Sequence, residues 1–186
     1  MSELYVLGAA LAVVIAAIII LYNHLVGKRQ MTHNGWADID VQLKRRADLI
    51  PLLSEAVKAY AAHERGLFAE VAEKRASALA AGDDPTRRGA AETALSAPLA
   101  RLVALAENYP ELKASRNFLE LQNELSETEN KIEMARRFYN GAVRELNIAV
   151  ESFPSNLVAG LFGFSRRDFF EIGMSERTAP AVRMEP

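Results

Sequence analysis

The chain has 186 residues, 50% hydrophobic and 25% charged, with a net charge of −2. That balance describes one folded domain with a short appendage, rather than two full domains or a disordered chain, and it points to no nucleic-acid partner. With no cysteine, a disulfide framework, a thiolate zinc site and a cysteine nucleophile are all excluded.

The first element is an anchor over residues 1–23. Leu4 to Tyr22 is nineteen residues without a charge, roughly 28 Å of helix and close to the thickness of a bilayer core. Tyr5 and Tyr22 stand at its two ends, where amphipathic rings favour the lipid interface. A cleaved signal peptide would have a basic start and a shorter apolar run, whereas Glu3 is the only charge before this one. An uncleaved transmembrane helix is therefore expected. Lys28 and Arg29 follow it, which places the N-terminus outside and the rest of the chain in the cytoplasm. Gly8, Ala12 and Ala16 recur every four residues on one face. Such spacing lets two helices approach closely, although alanine is also simply common in this stretch.

Helical periodicity dominates the remainder, and no stretch alternates with period two. Trp36, Ile39, Leu43, Ala47 and Ile50 make one stripe; Leu53, Val57, Tyr60, Leu67 and Val71 make the next. Pro51 between them either kinks one helix or starts another, with Asp48 as its cap. Gly82-Asp83-Asp84-Pro85 reads as a stop, a cap and a first-turn proline. The following alanine-rich helix contains Pro98, a kink or its true start, and ends near Asn108 before Tyr109-Pro110. Finally Phe118, Leu121, Leu125, Thr128, Ile132, Ala135, Tyr139, Ala142, Leu146, Ala149 and Phe153 alternate steps of three and four, and Pro154 ends that helix. Helices at about 24–50, 51–82, 86–108 and 112–153 with short connections predict an antiparallel up-and-down four-helix bundle over 24–153. A three-helix arrangement is the alternative if Pro51 only kinks. The chain is thus expected to be all-α, a transmembrane helix plus this bundle.

Several motifs in these elements resemble the LemA family of bacterial membrane proteins. The likeness begins at Tyr22-Asn23 and Trp36, is strongest over Asp38 to Pro51 (DIDVQLKRRADLIP), and continues at Val57-Lys58 and His63-Glu64. It resumes at Asn108 to Ala114 (NYPELKA), Glu129-Asn130, Ala135 to Asn140 (ARRFYN), Phe153 to Leu157 (FPSNL) and Phe164. It covers nearly the whole chain apart from 76–97 and the end beyond Gly173. Family members usually carry asparagine where this chain has Leu52, and alanine more often than Gly35. The resemblance implies a four-helix bundle, an anchor with its N-terminus outside, and a bacterial inner membrane. It supplies no reaction.

The sequence holds no motif of a known catalytic chemistry. A carboxylate-bridged di-metal bundle needs paired Glu-x-x-His motifs, and none of His24, His33 and His63 follows a glutamate by three. His63-Glu64 lacks the second histidine of a zinc protease, and no glycine-rich phosphate loop or nucleophile elbow is present. No metal, cofactor or enzymatic activity is expected. His63 is expected on a helix surface or against Tyr60.

The dense polar run Asp38, Asp40, Lys44, Arg45, Arg46, Asp48 is either a salt-bridged surface or an interface. In the second case Arg45 and Arg46 contact a subunit or partner, meeting the acidic start of the last helix on the same or another copy; the stretch from Glu107 to Glu133 carries seven glutamates, its two ends included. Arg136, Arg137 and Asn140 are either buried register-fixing groups or exposed. Residues 154–173 are apolar, too short to span, and glycine-containing. They either cap the open end of the bundle or lie at the lipid interface through Leu157, Leu161, Phe162 and Phe164, with Arg166 and Arg167 facing headgroups. Residues 174–186 read as a flexible tail. The functional expectation is a non-enzymatic, membrane-anchored helical scaffold. Its partners would be the bilayer, further copies of itself in a homo-oligomer and other membrane proteins. A monomeric adaptor serving a separate membrane enzyme is the alternative.

Overall fold

The structure is a computed structural model and describes residues 1–172. The expected tail, 174–186, lies outside the described residues. Among the described residues there are six helices and no strand: α1 Ser2–Lys58, α2 Arg65–Ala80, α3 Pro85–Glu107, α4 Pro110–Lys113, α5 Arg116–Glu151 and α6 Ser155–Phe162. The fold is all-α, as the periodicity predicts.

The largest departure concerns Pro51. α1 runs through it without ending, so anchor and first bundle helix are one element of 57 residues, roughly 85 Å long. A proline inside a helix leaves the carbonyl four residues back without its N–H partner. That carbonyl belongs to Ala47, and the Arg75 guanidinium of α2 donates to it through Nε at 2.5 Å. The same arginine lies 4.0 Å from Asp48, which is a mid-helix residue and not a cap. The chain instead turns at 59–64, where Ala61 is buried and His63 is exposed in the turn.

The other boundaries follow the sequence closely. Gly82 adopts φ +72, the left-handed conformation that glycine takes without a Cβ penalty. The Asp84 carboxylate accepts from the Arg87 N–H at 2.7 Å, and Pro85 occupies the first turn of α3. Pro98 sits inside α3, buried, without ending it. After α5 the Ser155 hydroxyl donates to the carbonyls of Ala149 and Ser152, at 2.7 and 2.9 Å, collecting orphan acceptors at the helix end.

The helices form two compact units, and α1 and α5 contribute to both. One unit comprises residues 1–39 and 134–168. In it α1 and α5 run antiparallel, with Lys28 pairing Glu145 at 3.0 Å. At Gly35 an added Cβ would stand 3.1 Å from the Tyr139 Cα, so the two backbones approach closely there. Trp36 lies against Tyr139, their ring centroids 5.5 Å apart.

The other unit comprises residues 40–133 and, among the described residues that follow the first unit, 169–172. Its core joins Ile50, Leu53 and Val57 of α1, Val71 and Ala78 of α2, Leu95, Leu99 and Leu102 of α3, Leu112 of α4, and Phe118 and Leu125 of α5. Arg101 pairs with Glu70, and Arg45 with Glu124, each between sequential or antiparallel helices. Those pairings describe an up-and-down helical bundle. The α5 stripe is buried from Phe118 to Ala149 except at its partly covered members Leu121 and Ala135, whereas Phe153, expected to close it, is 80% exposed.

Candidate functional site

Two places in the molecule combine unusual chemistry with a defined position. The first is the end of the apolar stretch of α1. Helix α1 contains a segment long and apolar enough to cross a membrane, and none of that segment is buried within the chain. Leu4, Leu7, Leu11, Val14, Ile15, Ile19 and Ile20 are all exposed. Burial begins at Leu25, which is fully covered. Around it Ala149 of α5, Val158 and Ala159 of α6, and Phe164 form a small core, with Ile18, Leu21, Tyr22 and Val26 of α1 packed against it.

Helix α6 is therefore held alongside the last turns of the apolar stretch. It ends at Gly163, with φ +71. The Phe164 N–H donates back to the Ala159 carbonyl at 2.9 Å, the return bond typical of a glycine-terminated helix. That turn delivers Phe164 to Tyr22, 5.7 Å between ring centroids, while Phe162 meets the same tyrosine at 4.9 Å. The Arg29 guanidinium lies 4.9 Å from the Phe164 ring centroid, on its other contact. The chain beyond is clipped to α5. Asn147 exchanges two hydrogen bonds with the Arg167 backbone, at 3.0 and 2.9 Å. The Tyr139 hydroxyl donates to the Asp168 carbonyl at 3.0 Å.

Among the residues expected at a lipid interface, Leu157, Leu161 and Phe162 are exposed. Phe164 is not: at 8% exposure it is an internal residue, because the Gly163 turn folds it beneath Arg29 and against Tyr22. Arg166 pairs with Glu151 at 2.9 Å, and Arg167 reaches within 3.5 Å of His33. Gly8, Ala12 and Ala16 lie in the exposed part of α1, with no other element near Gly8.

The second place is a buried ion cluster in the unit that holds α2 and α3. Arg46, expected to face a subunit or partner, is 2% exposed and points inward. Its guanidinium pairs with Glu92 of α3 and donates to Glu129 of α5 at 2.9 and 3.2 Å. Arg88, also buried, donates through Nε to the other Glu92 oxygen at 2.9 Å and lies 3.9 Å from Asp40. Burial alone would lower the Arg46 pKa, but the attraction of Glu129 and Glu92 outweighs it and leaves the pKa above its ordinary value. Two arginines thus share one fully buried carboxylate, and two half-exposed ones complete the charge. Arg45 meets Glu124 at 2.7 Å on the surface of the same chain. Arg137 is exposed, while Arg136 and Asn140 are half-buried.

Glu92 and Arg88 match no functional motif, yet their spacing carries a signal. They precede Leu95, Leu99, Leu102 and Ala106 in the same three-and-four spacing, which puts both charges on the core stripe of α3. No group of three His, Asp or Glu residues able to hold a metal occurs among the described residues.

The LemA family model matches residues 35–184. The chain belongs to the LemA family. The match takes in both arginines of the cluster, the Asn147 clip and α6. Among curated relatives, the magnetosome proteins MamQ 1 and MamQ 2 of Paramagnetospirillum magneticum are each 25% identical to it. The alignments cover 84% of this chain and 67% of each relative. The magnetosome protein MamQ of Magnetospirillum gryphiswaldense is 23% identical, over 87% of this chain and 68% of its own length. This LemA protein is a membrane-associated helical protein. Of the family motifs, Asp40 and Arg46 fall in the buried cluster, Tyr22 and Phe164 in the core under α6, and Tyr139 on α5, where it holds the strap that follows α6.

Proposed function

We propose that this LemA protein is a non-enzymatic, membrane-anchored scaffold that self-associates and organises membrane or membrane proteins. It sits in a bacterial inner membrane with its N-terminus outside and its bundle in the cytoplasm. One observation carries the reading: a single uninterrupted helix joins a wholly exposed apolar segment to a folded bundle. Packing of anchors through one face of that segment would bring copies of the chain together.

The geometry of α1 leaves room for that packing. At about 100° per residue, Gly8, Ala12 and Ala16 lie roughly 100–180° around the helix from Leu25, the residue α6 covers. The small-residue face is therefore turned away from α6, and a second anchor meets no obstruction there. The orientation is supported by charge. Lys28 and Arg29 follow the apolar stretch and Arg166 and Arg167 lie on the strap after α6, against Glu3 alone at the other end.

The adaptor reading draws on a different observation. Arg46 is consumed inside the chain and Arg45 meets Glu124 of its own chain, so the charges that were to join copies are largely spent. Anchor packing is left as the principal route to assembly. Mass measurement by light scattering in mild detergent separates the two. The scaffold requires an oligomer that falls to monomer when Gly8→Leu and Ala12→Leu are combined, since leucine obstructs close approach yet favours lipid. A wild type that is already monomeric, in detergent and by crosslinking in membranes, would replace the scaffold with the adaptor. A reporter fused after Pro186 should be active only in a cytoplasmic form; periplasmic activity would reverse the orientation.

A further inference from the structure

Among the described residues, little covers the outward face of α6, where only the edge of Phe162 meets a neighbour, Tyr22. Leu157 is 64% exposed, Leu161 74% and Phe162 49%, and Phe153 just before the helix is the most exposed of the four. The helix carries no charge from Ser155 to Phe162. Its opposite face, Val158 and Ala159, is buried against Leu25, Ala149 and the side chains of Ile18, Leu21 and Tyr22. α6 is therefore apolar on both sides. One side is used to grip α1, and the other is left bare at the point where the apolar stretch of α1 ends.

We propose that this bare face is a second membrane contact, seated at the headgroup–acyl boundary of the leaflet into which α1 emerges. The inference rests on α1 crossing the bilayer. Continuity is its first support. Tyr22, the last residue of the charge-free stretch, touches both Phe162 and Phe164, so α6 lies at the depth where that stretch leaves the hydrocarbon. Aromatic rings concentrate at that depth. The arrangement of charge is the second support. The ionic groups begin one to two turns further along α1, at Lys28 with Glu145 and Arg29 over Phe164, and Arg166 with Glu151 borders α6. These groups form a polar rim on one side of an apolar patch, as an interfacial helix requires. The area is the third. Three side chains on an eight-residue helix, with Phe153 just before it, offer only a few hundred Å², short of the roughly 500 Å² per partner that a specific protein interface of about 1,000 Å² in total needs. Lipid accepts a patch of that size without shape complementarity.

Seating α6 in the interface would fix the tilt and rotation of α1, because α6 packs on it through Leu25 while the Asn147 and Tyr139 clips tie the strap that follows to α5. The small-residue face of the anchor would then be presented in one direction, away from α6.

The absence of cysteine makes the test direct. Full-length Leu157→Cys, Leu161→Cys, Leu11→Cys and Val41→Cys variants would each be spin-labelled and reconstituted in zwitterionic phospholipid vesicles. Collision with oxygen, which concentrates in lipid, and with a water-soluble nickel chelate would then be measured at each position. Val41 is an exposed apolar residue of the other unit and gives the water reference; Leu11 gives the hydrocarbon reference. The expected result is an oxygen-to-nickel ratio at positions 157 and 161 several-fold above that at 41 and below that at 11. Nickel access at 157 and 161 equal to that at 41, with 11 still in lipid, would overturn the inference and leave α6 a water-exposed cap. Low access to both reagents would also overturn it, by showing a second copy of the chain over the face. Nickel access at 11 equal to that at 41 would overturn the spanning reading of α1 together with this one.

Discussion

Replacing Glu92 by glutamine tests the buried cluster most sharply. Among the described residues, Glu92 is the carboxylate that both Arg46 and Arg88 contact, and all three are nearly inaccessible to solvent. Glutamine keeps the shape and removes the charge. Arg46 would retain Glu129, which is 43% exposed, but Arg88 would keep only Asp40 at 3.9 Å. An arginine cannot shed its proton to escape, and removing one member of a buried pair costs about 3–5 kcal/mol. Because the Arg46 pKa stands above its ordinary value, Arg46 keeps its charge throughout the working range, so the loss should not change between neutral and mildly basic buffer. Guanidinium titration of the full chain in detergent, followed by circular dichroism and by hydrogen exchange in α3, would measure it. Replacing Arg46 and Arg88 by methionine together with Glu92→Leu should recover most of the loss, since apolar side chains of similar volume often match or exceed a buried ion pair. A Glu92→Gln loss below about 0.5 kcal/mol, the range of ordinary surface changes, would refute the argument by showing the cluster to be solvated.

The remaining predictions concern the helix ends and the core. Arg75→Met should cost about 1–3 kcal/mol by leaving the Ala47 carbonyl unpaired, and nearly nothing in a Pro51→Ala background, where the restored N–H serves that carbonyl; a denaturation double-mutant cycle without coupling would contradict this. An added Cβ at Gly89 would collide with the Glu171 carbonyl, so Gly89→Ala should release the segment around fully buried Phe170, at a cost of up to about 2–3 kcal/mol. Hydrogen exchange at 169–172 unchanged from wild type would count against it. Ile132→Ala should cost about 2–5 kcal/mol, whereas Lys131→Ala on the neighbouring face should stay within the scatter of surface changes; equal effects in denaturant melts would mean the buried face of α5 is misassigned.

Much of the fold is legible in periodicity because burial enforces it. The α5 stripe, the Gly82–Pro85 junction and the charge-free run at the start each have one dominant physical cause. Pro51 misleads because a proline's effect on a helix depends on what meets the freed carbonyl, and Arg75 is distant in sequence from Ala47. The turn at 59–64 holds neither proline nor glycine, so no local signal announces it.

The ion cluster hides for a related reason. Ile39, Leu43, Arg46, Ile50, Leu53 and Val57 keep the same spacing, and a charge in that series reads as an interruption until its buried partner is known. Phe164 looks like a membrane contact from composition, yet the left-handed turn at Gly163 sends it inward while Leu157 and Leu161 face out.

Disulfide trapping in native membranes tests the scaffold account most directly. Single cysteines would be placed at each position from 6 to 17 of the full chain and oxidised without solubilisation. The account predicts dimer yields that peak at Gly8, Ala12 and Ala16 and fall at the lipid-facing positions between them. Uniformly low yields along the whole segment would contradict it.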